Sequence, residues 1–278
     1  MRPKQWTKNV LVVAAPLAAG ALGSVSVVVA TGLAFLAFCA ISSAGYAIND
    51  VADREVDRHH PLKQQRPVAS GALSPASAIG LAAGLFVVAL VLAALAGLEL
   101  VILVVGYAAL QIGYTLWFKH EPVVDLAAVS LGFLMRAVAG GVAADLRISQ
   151  WFLLVAGFGS LFVVSGKRYS ELHTLGSEAG TRRSLIRYTP TYLRFVWGIS
   201  AAAAVMSYSL WAFEMEQSTG LPWHALSIAP FVMALLRYAV DIDAGMAAEP
   251  EDIIWRDRPL QLIGLVWLVL VCLGVLGA

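Results

Sequence analysis

Nine apolar runs dominate this chain, and most come close to the roughly 20 residues that a membrane-spanning helix requires. They fall at about Val10–Leu22, Val25–Ile48, Pro75–Ala96, Leu98–Trp117, Val123–Ala144, Trp151–Gly166, Thr191–Phe213, Trp223–Tyr238 and Leu260–Leu276. A soluble domain carries about 25% charged residues. Here only 13% of 278 residues are charged and 59% are hydrophobic. The expected fold is therefore all-α and polytopic: nine transmembrane helices around a central cavity with a cytoplasmic cap, forming a single domain over residues 1–278. The short first run also admits a cleaved leader ending near Ala18-Ala19-Gly20-Ala21. Cys39 and Cys272 lie inside apolar runs and read as small hydrophobes. A net charge of +1 points to no nucleic-acid partner.

Charge placement orients the runs. With the N-terminus inside, alternate loops hold Arg54, Arg58, Lys63, Arg66, Lys119, Lys167, Arg168, Arg182, Arg183, Arg187, Arg256 and Arg258. The opposite loops hold Glu99, Asp145, Glu214 and Glu216, with Arg147 as their basic residue. This excess of inward cations predicts a plasma (inner) membrane protein, the bilayer itself being a partner, with its long loops facing the cytoplasm. Those loops, at about 50–74, 167–190 and 239–259, are long enough to cap a cavity. The second reads as amphipathic, with Leu172, Leu175, Leu185 and Ile186 set among charges.

At the end of the second run stands Asn49-Asp50-Val51-Ala52-Asp53-Arg54-Glu55-Val56-Asp57. If the helix continued, Asp50, Asp53 and Asp57 would share one face. Three neighbouring carboxylates repel unless a cation lies between them, and oxygen ligands suit Mg²⁺, which keeps positions open for substrate phosphates. The other reading is a solvated, acid-capped loop. Cations surround the segment: Lys4 and Lys8 lead into the first run, Lys63 and Arg66 follow the acids, and Lys167, Arg168 and Tyr169 close the sixth run. Acids and cations together describe a site for a phosphorylated substrate with Mg²⁺.

Arg136 lies in the middle of the fifth run, where an arginine costs about 2.5–3.5 kcal/mol on insertion scales. It is expected to face an anionic substrate in the cavity, with an ion pair to another helix as the alternative. Asp125 shares its face but is too distant along the axis to pair with it. Lys119 reads as a snorkelling lysine at a helix end, near Gln111 and Tyr114. Asp241, Asp243, Glu249, Glu251, Asp252 and Asp257 form a further acidic group, read as a solvated loop.

The pattern Asn49-Asp50-x-x-Asp53-x-x-x-Asp57, followed by Arg66-Pro67-Val68-Ala69-Ser70-Gly71, resembles the first signature of the UbiA superfamily of intramembrane prenyltransferases. Members typically carry a second acidic cluster after the sixth helix. This chain instead has Ser165-Gly166-Lys167-Arg168-Tyr169-Ser170-Glu171. Together with Arg2-Pro3-Lys4-Gln5-Trp6-Thr7-Lys8-Asn9 and Arg237-Tyr238-Ala239-Val240-Asp241, that departure resembles the superfamily's phosphoribosyl-transferring branch.

The resemblance implies a polyprenyl (decaprenyl) phosphate acceptor, a phosphoribosyl pyrophosphate donor and a product used for cell-wall arabinan. It implies Asn49, Asp50, Asp53 and Asp57 as ligands of Mg²⁺ and the diphosphate. Lys4, Lys8, Lys63 and Arg66 become candidates for donor phosphates. Tyr114, Lys119, Arg136, Lys167, Arg168 and Tyr169 become candidates for orienting the remaining phosphates. The polyprenyl tail is expected to leave between helices near Phe35, Phe38, Phe133 and Leu134. Two rival readings are a conventional prenyltransferase with a prenyl diphosphate donor and a membrane transporter. The oligomeric state, a homo-oligomer included, stays open.

Overall fold

The computed structural model describes residues 3–59, 63–175, 185, 187–220 and 222–276. Every regular element among them is helical. Eight helices or helix pairs are long and apolar enough to cross a membrane: α2 (Val25–Ala52), α4 (Pro75–Ala96), α5 (Leu98–Leu116), α6 (Val124–Ala143), α7 (Gln150–Leu175), α8 (Pro190–Thr219), the pair α9 (Trp223–Leu226) and α10 (Ile228–Asp243), and α12 (Arg258–Leu276). The chain is an integral membrane protein. Much of its large apolar surface is exposed, as lipid-facing helices require.

The first apolar run departs from the expected ninth helix. It forms a 3₁₀ segment, Pro3–Val13, and a short α1 (Ala14–Ala18) ended by Gly20 at φ 65°. At about 2.0 Å per residue for 3₁₀ and about 1.5 Å for α, the two pieces reach about 30 Å, the depth of a hydrocarbon layer. A run too short for an α-helix can thus cross by stretching. The amphipathic stretch expected near 172–187 lies largely outside the described residues, and so does the side chain of Lys4.

Alternation of the helices brings the C-terminal ends of α2, α5, α7 and α10 and the N-terminal ends of α4, α6, α8 and α12 to one face of the bundle. Local chemistry marks these ends. Ser74 caps α4 by accepting from Ser77 N at 3.0 Å, and Thr189 caps α8 by accepting from Tyr192 N at 3.1 Å. Pro75 and Pro190 stand at the first helical positions, where the missing N–H costs nothing.

Two cores meet at α6. Phe38, Ile41, Leu100, Val104 and Tyr107 pack α2, α4 and α5 together. Leu126, Phe162, Leu193, Tyr238 and Ile242 pack α6, α7, α8 and α10. α6 serves both because its inner positions are small: Gly132, Ala137, Ala139, Gly140, Gly141 and Ala143 are buried. A Cβ on Gly140 would lie 2.1 Å from the carbonyl oxygen of Val12, so only glycine admits the N-terminal segment there. Phe38 is fully buried against Tyr107, and Phe133 packs beside Arg136. Phe35, Phe133 and Leu134, the other residues near the expected tail exit, are half-buried.

Candidate functional site

The Asn49–Asp57 segment is not one continuous helix. α2 ends at Ala52, Asp53 adopts φ −92° and ψ 5°, and the chain restarts as α3 (Arg54–Arg58). The break turns the aspartates in two directions. Asp57 and Asp50, both buried, converge on Arg66 Nη1 at 2.5 and 3.4 Å. Asp53 accepts from Lys119 Nζ at 2.5 Å and from Asn49 Nδ2 at 2.9 Å. Among the described residues, no group of three metal-type side chains is gathered for an ion. The expected three-carboxylate face is corrected to a pair plus one, because the helix breaks and two cations draw the acids apart.

The donor set nonetheless fits a hard cation. A single Nη1 already bridges Asp50 and Asp57, so two carboxylate oxygens face one positively charged point. Lys119, read as an ordinary helix-end lysine, is instead carried into the site by a 3₁₀ turn, Phe118–His120. Lys63 opens another such turn, Lys63–Gln65, ahead of Arg66.

The second group of charges sits between α5, α6 and α7. Asp125, with no exposed surface, takes Arg168 Nε at 2.8 Å and Nη2 at 3.1 Å, and Tyr114 donates to it at 2.9 Å. Arg168 Nη1 reaches Glu171 at 2.8 Å, while Lys167 Nζ stands 3.8 Å from the same carboxylate. A forked guanidinium shared by two acids is a strong, directional contact. Arg168 and Tyr114 are thus committed to protein partners, although sequence reasoning offered both to substrate phosphates.

Val123, just before α6, holds φ 67° and ψ −50°, a strained conformation for a β-branched residue. Its N–H donates to Tyr188 Oη at 2.8 Å, which ties the strained turn to the segment before α8. Burial pushes the Tyr188 hydroxyl up to about 12, with Asp125 adding to the shift, so it stays a neutral phenol.

Three more sequence candidates lie elsewhere. Tyr169 turns towards α8 and α10, donating to Asp243 at 3.4 Å beneath Arg194, whose guanidinium stands 5.4 Å from its ring. Lys8 donates to Gln5 Oε1 at 2.5 Å. Arg136 faces no open anion position. Its donors go to Asn9, Gly132, Ser42 and Tyr107.

The late acidic loop is not simply solvated. Asp241 is buried beside Asp257, and Asp257 caps α12 by accepting from Leu260 N at 3.0 Å and from Arg237 Nε at 2.7 Å. Burial works to raise the Asp257 carboxyl, but the Leu260 N–H and Arg237 outweigh it and hold it below the usual carboxylate range.

Sequence reading missed Asn9 and Tyr107 as partners of Arg136, and Asp125 and Glu171 as partners of Arg168. The i, i+3 spacing of Arg168 and Glu171 was the available signal. Nothing local pointed to Asn9, which lies far from Arg136 in the chain.

Comparison with known proteins completes the picture. Residues 9–252 match the UbiA prenyltransferase family. The chain is 48% identical to the decaprenyl-phosphate phosphoribosyltransferase of Corynebacterium glutamicum, over 99% of this chain and 85% of the relative. It is 49% identical to the protein of that name from Mycobacterium tuberculosis H37Rv, over 98% and 91%. A UbiA homolog from Archaeoglobus fulgidus, solved bound to DMAPP and Mg²⁺, superposes with a TM-score of 0.74 at 18% identity, over 99% of this chain and 96% of that one. With its helices, its broken aspartate segment and these likenesses in agreement, the chain belongs to the UbiA prenyltransferase family.

Proposed function

We propose that this protein transfers 5-phosphoribose from phosphoribosyl pyrophosphate to a polyprenyl (decaprenyl) monophosphate, releasing diphosphate, as a step towards cell-wall arabinan. The observation that carries the reading is near-half identity, over almost the whole chain, to relatives named for that activity. The geometry supports it. At the α2 end, Asp50 and Asp57 converge on one cation, and Arg66 and Lys119 stand within ion-pair distance of the acids.

In the reaction, an oxygen of the lipid phosphate attacks the anomeric carbon as the bond from that carbon to diphosphate breaks, with inversion. A phosphate anion is already nucleophilic near neutral pH, so the protein's task is to hold the phosphates and offset the charge of the departing diphosphate. Asp50, Asp53 and Asp57, with Asn49, are the residues that would hold Mg²⁺. Once bound there, the ion would supply positive charge that offsets the leaving diphosphate. Arg66, paired with Asp50 and Asp57, and Lys119, paired with Asp53, are the cations that would engage the donor's phosphates. Lys4, Lys8, Lys63 and Lys167 supply further positive charge around the mouth. The buried Asp125–Arg168–Glu171 group stiffens the wall against which the substrates lie. The mouth faces the cytoplasm of the plasma membrane, where the water-soluble donor is found.

Membranes containing the protein, given labelled phosphoribosyl pyrophosphate and polyprenyl phosphate, should form a labelled lipid only when Mg²⁺ is present. Release of diphosphate from a prenyl diphosphate, with no labelled lipid formed, would replace this reading with that of a conventional prenyltransferase.

A further inference from the structure

Arg136 is buried in the bilayer core with no carboxylate within ion-pair distance among the described residues. Its Nε donates to Asn9 Oδ1 at 2.9 Å, Nη1 to Gly132 O at 2.8 Å, and Nη2 to Ser42 Oγ at 3.3 Å and to Tyr107 Oη. The rings of Tyr107 and Phe133 lie 4.9 and 5.5 Å from the guanidinium carbon. One charge thus ties the N-terminal segment, α2, α5 and α6 together through neutral acceptors. Since a central arginine costs about 2.5–3.5 kcal/mol to insert, a purely packing role would be served as well by an apolar side chain.

The contacts of the N-terminal segment show what this tie sets. Asn9 Nδ2 donates to Cys39 Sγ at 3.2 Å, and Trp6 Nε1 donates to Ser43 Oγ at 3.2 Å. Three residues back along the 3₁₀ segment (about 6 Å) match four residues forward along α2 (about 6 Å), so the two run antiparallel and in step. By the same rises, the Lys4 backbone stands level with Tyr46, about one helical turn short of Asp50. Val12 pressed against Gly140 gives the segment a second fixed point further along.

We propose that Arg136 is a positioning residue that does not touch substrate. Through Asn9 it sets the height of the N-terminal segment, and so the level of the Lys4 backbone relative to Asp50. The part played by Lys4 rests on the phosphoribosyl-transfer reading, whereas the register does not.

The register is tested first, in the purified full-length protein. A Lys4→Cys, Tyr46→Cys pair is bridged with a short bifunctional thiol reagent, and protein retaining only Cys39 and Cys272 sets the background. The pair should cross-link, and adding Arg136→Gln should cut the yield about fivefold or more, as expected when a tie between elements is lost. Arg136→Lys, which keeps the charge but lacks the Nε donor, should also lower the yield and guards against misreading an unfolded variant. Cross-linking at the parent yield in both variants overturns the proposal, whatever the activity.

Kinetics then test the consequence. Arg136→Gln and Lys4→Ala should each raise the KM for phosphoribosyl pyrophosphate about tenfold with little change in kcat, and the double variant should be no more than about twofold worse than either. Multiplying effects, about 100-fold together, would show that Arg136 acts independently of Lys4 and would also overturn it. Failure of the unaltered protein to use this donor would count against the proposed function and leave the cross-linking result standing.

Discussion

The bundle carries two acid–base groups at the same face, and they are built differently. At the end of α2, Asp53 and Lys119 meet at one point, with side chains 28% and 12% exposed, and Arg66 is 22% exposed where it bridges Asp50 and Asp57. Between α6 and α7, Asp125 and Arg168 are joined by a fork, and their side chains are 0% and 3% exposed. In the first group water reaches the two cations and Asp53, while Asp50 and Asp57 are themselves buried, so Arg66 and Lys119 can exchange a carboxylate for a phosphate at lower cost. The second group cannot, because breaking the fork would strand a charge in a dry interior. Similar residue types thus yield an exchangeable group in one place and a structural clamp in the other.

The largest test of this contrast is Arg168→Met. Leaving Asp125 buried without its partner should cost about 3–5 kcal/mol, read as a large fall in melting temperature in detergent. Adding Asp125→Leu should recover most of that loss, since replacing both charges removes the desolvation penalty. If the double variant is no more stable than Arg168→Met alone, the clamp description is wrong.

Next comes Asp57→Asn at the exchangeable group. Activity should fall on the order of 100-fold, with a smaller change in melting temperature than Arg168→Met produces. A destabilisation as large as that of Arg168→Met would erase the distinction between the two groups.

Lys119→Ala should act more gently. The Asp53 contact is partly exposed, so its loss should cost at most about 1 kcal/mol of stability. The KM for phosphoribosyl pyrophosphate should nevertheless rise several-fold, and an unchanged KM would remove Lys119 from the site.

The smallest effect concerns Asp257, which combines a backbone cap with a partly exposed cation. Its carboxyl is held below the usual range, so its stabilisation is fully present above the ordinary aspartate value of about 3.9. That contribution is lost as pH falls through the depressed native value. Asp257→Asn should therefore flatten the acid limb of the stability profile and leave stability differences between pH 6 and 8 unchanged.

Several expectations were legible in residue order alone. Runs of apolar residues near bilayer length determine an all-α membrane bundle, because no other backbone arrangement without sheet closure satisfies its own hydrogen bonds in lipid. Asn49, Asp50, Asp53, Asp57 and Arg66 were legible as a group because they lie close together in one segment. Their arrangement was not, since Asp53 pairs with Lys119 from beyond the end of α5 while Asp50 and Asp57 meet Arg66.

The sequence by itself determined the helices, their alternation and the aspartate segment, for these rest on local composition and periodicity. Tertiary structure alone decided which charges are spent and which remain available. Arg136, Arg168 and Lys119 are all cations at or within apolar runs, and beyond Glu171 three residues after Arg168 their neighbours along the chain do not separate them. Asn9, Asp125 and Asp53 separate them, through contacts between distant segments. The energy of a charge depends on its burial and on the geometry of its partner, and both are properties of packed helices rather than of residue order.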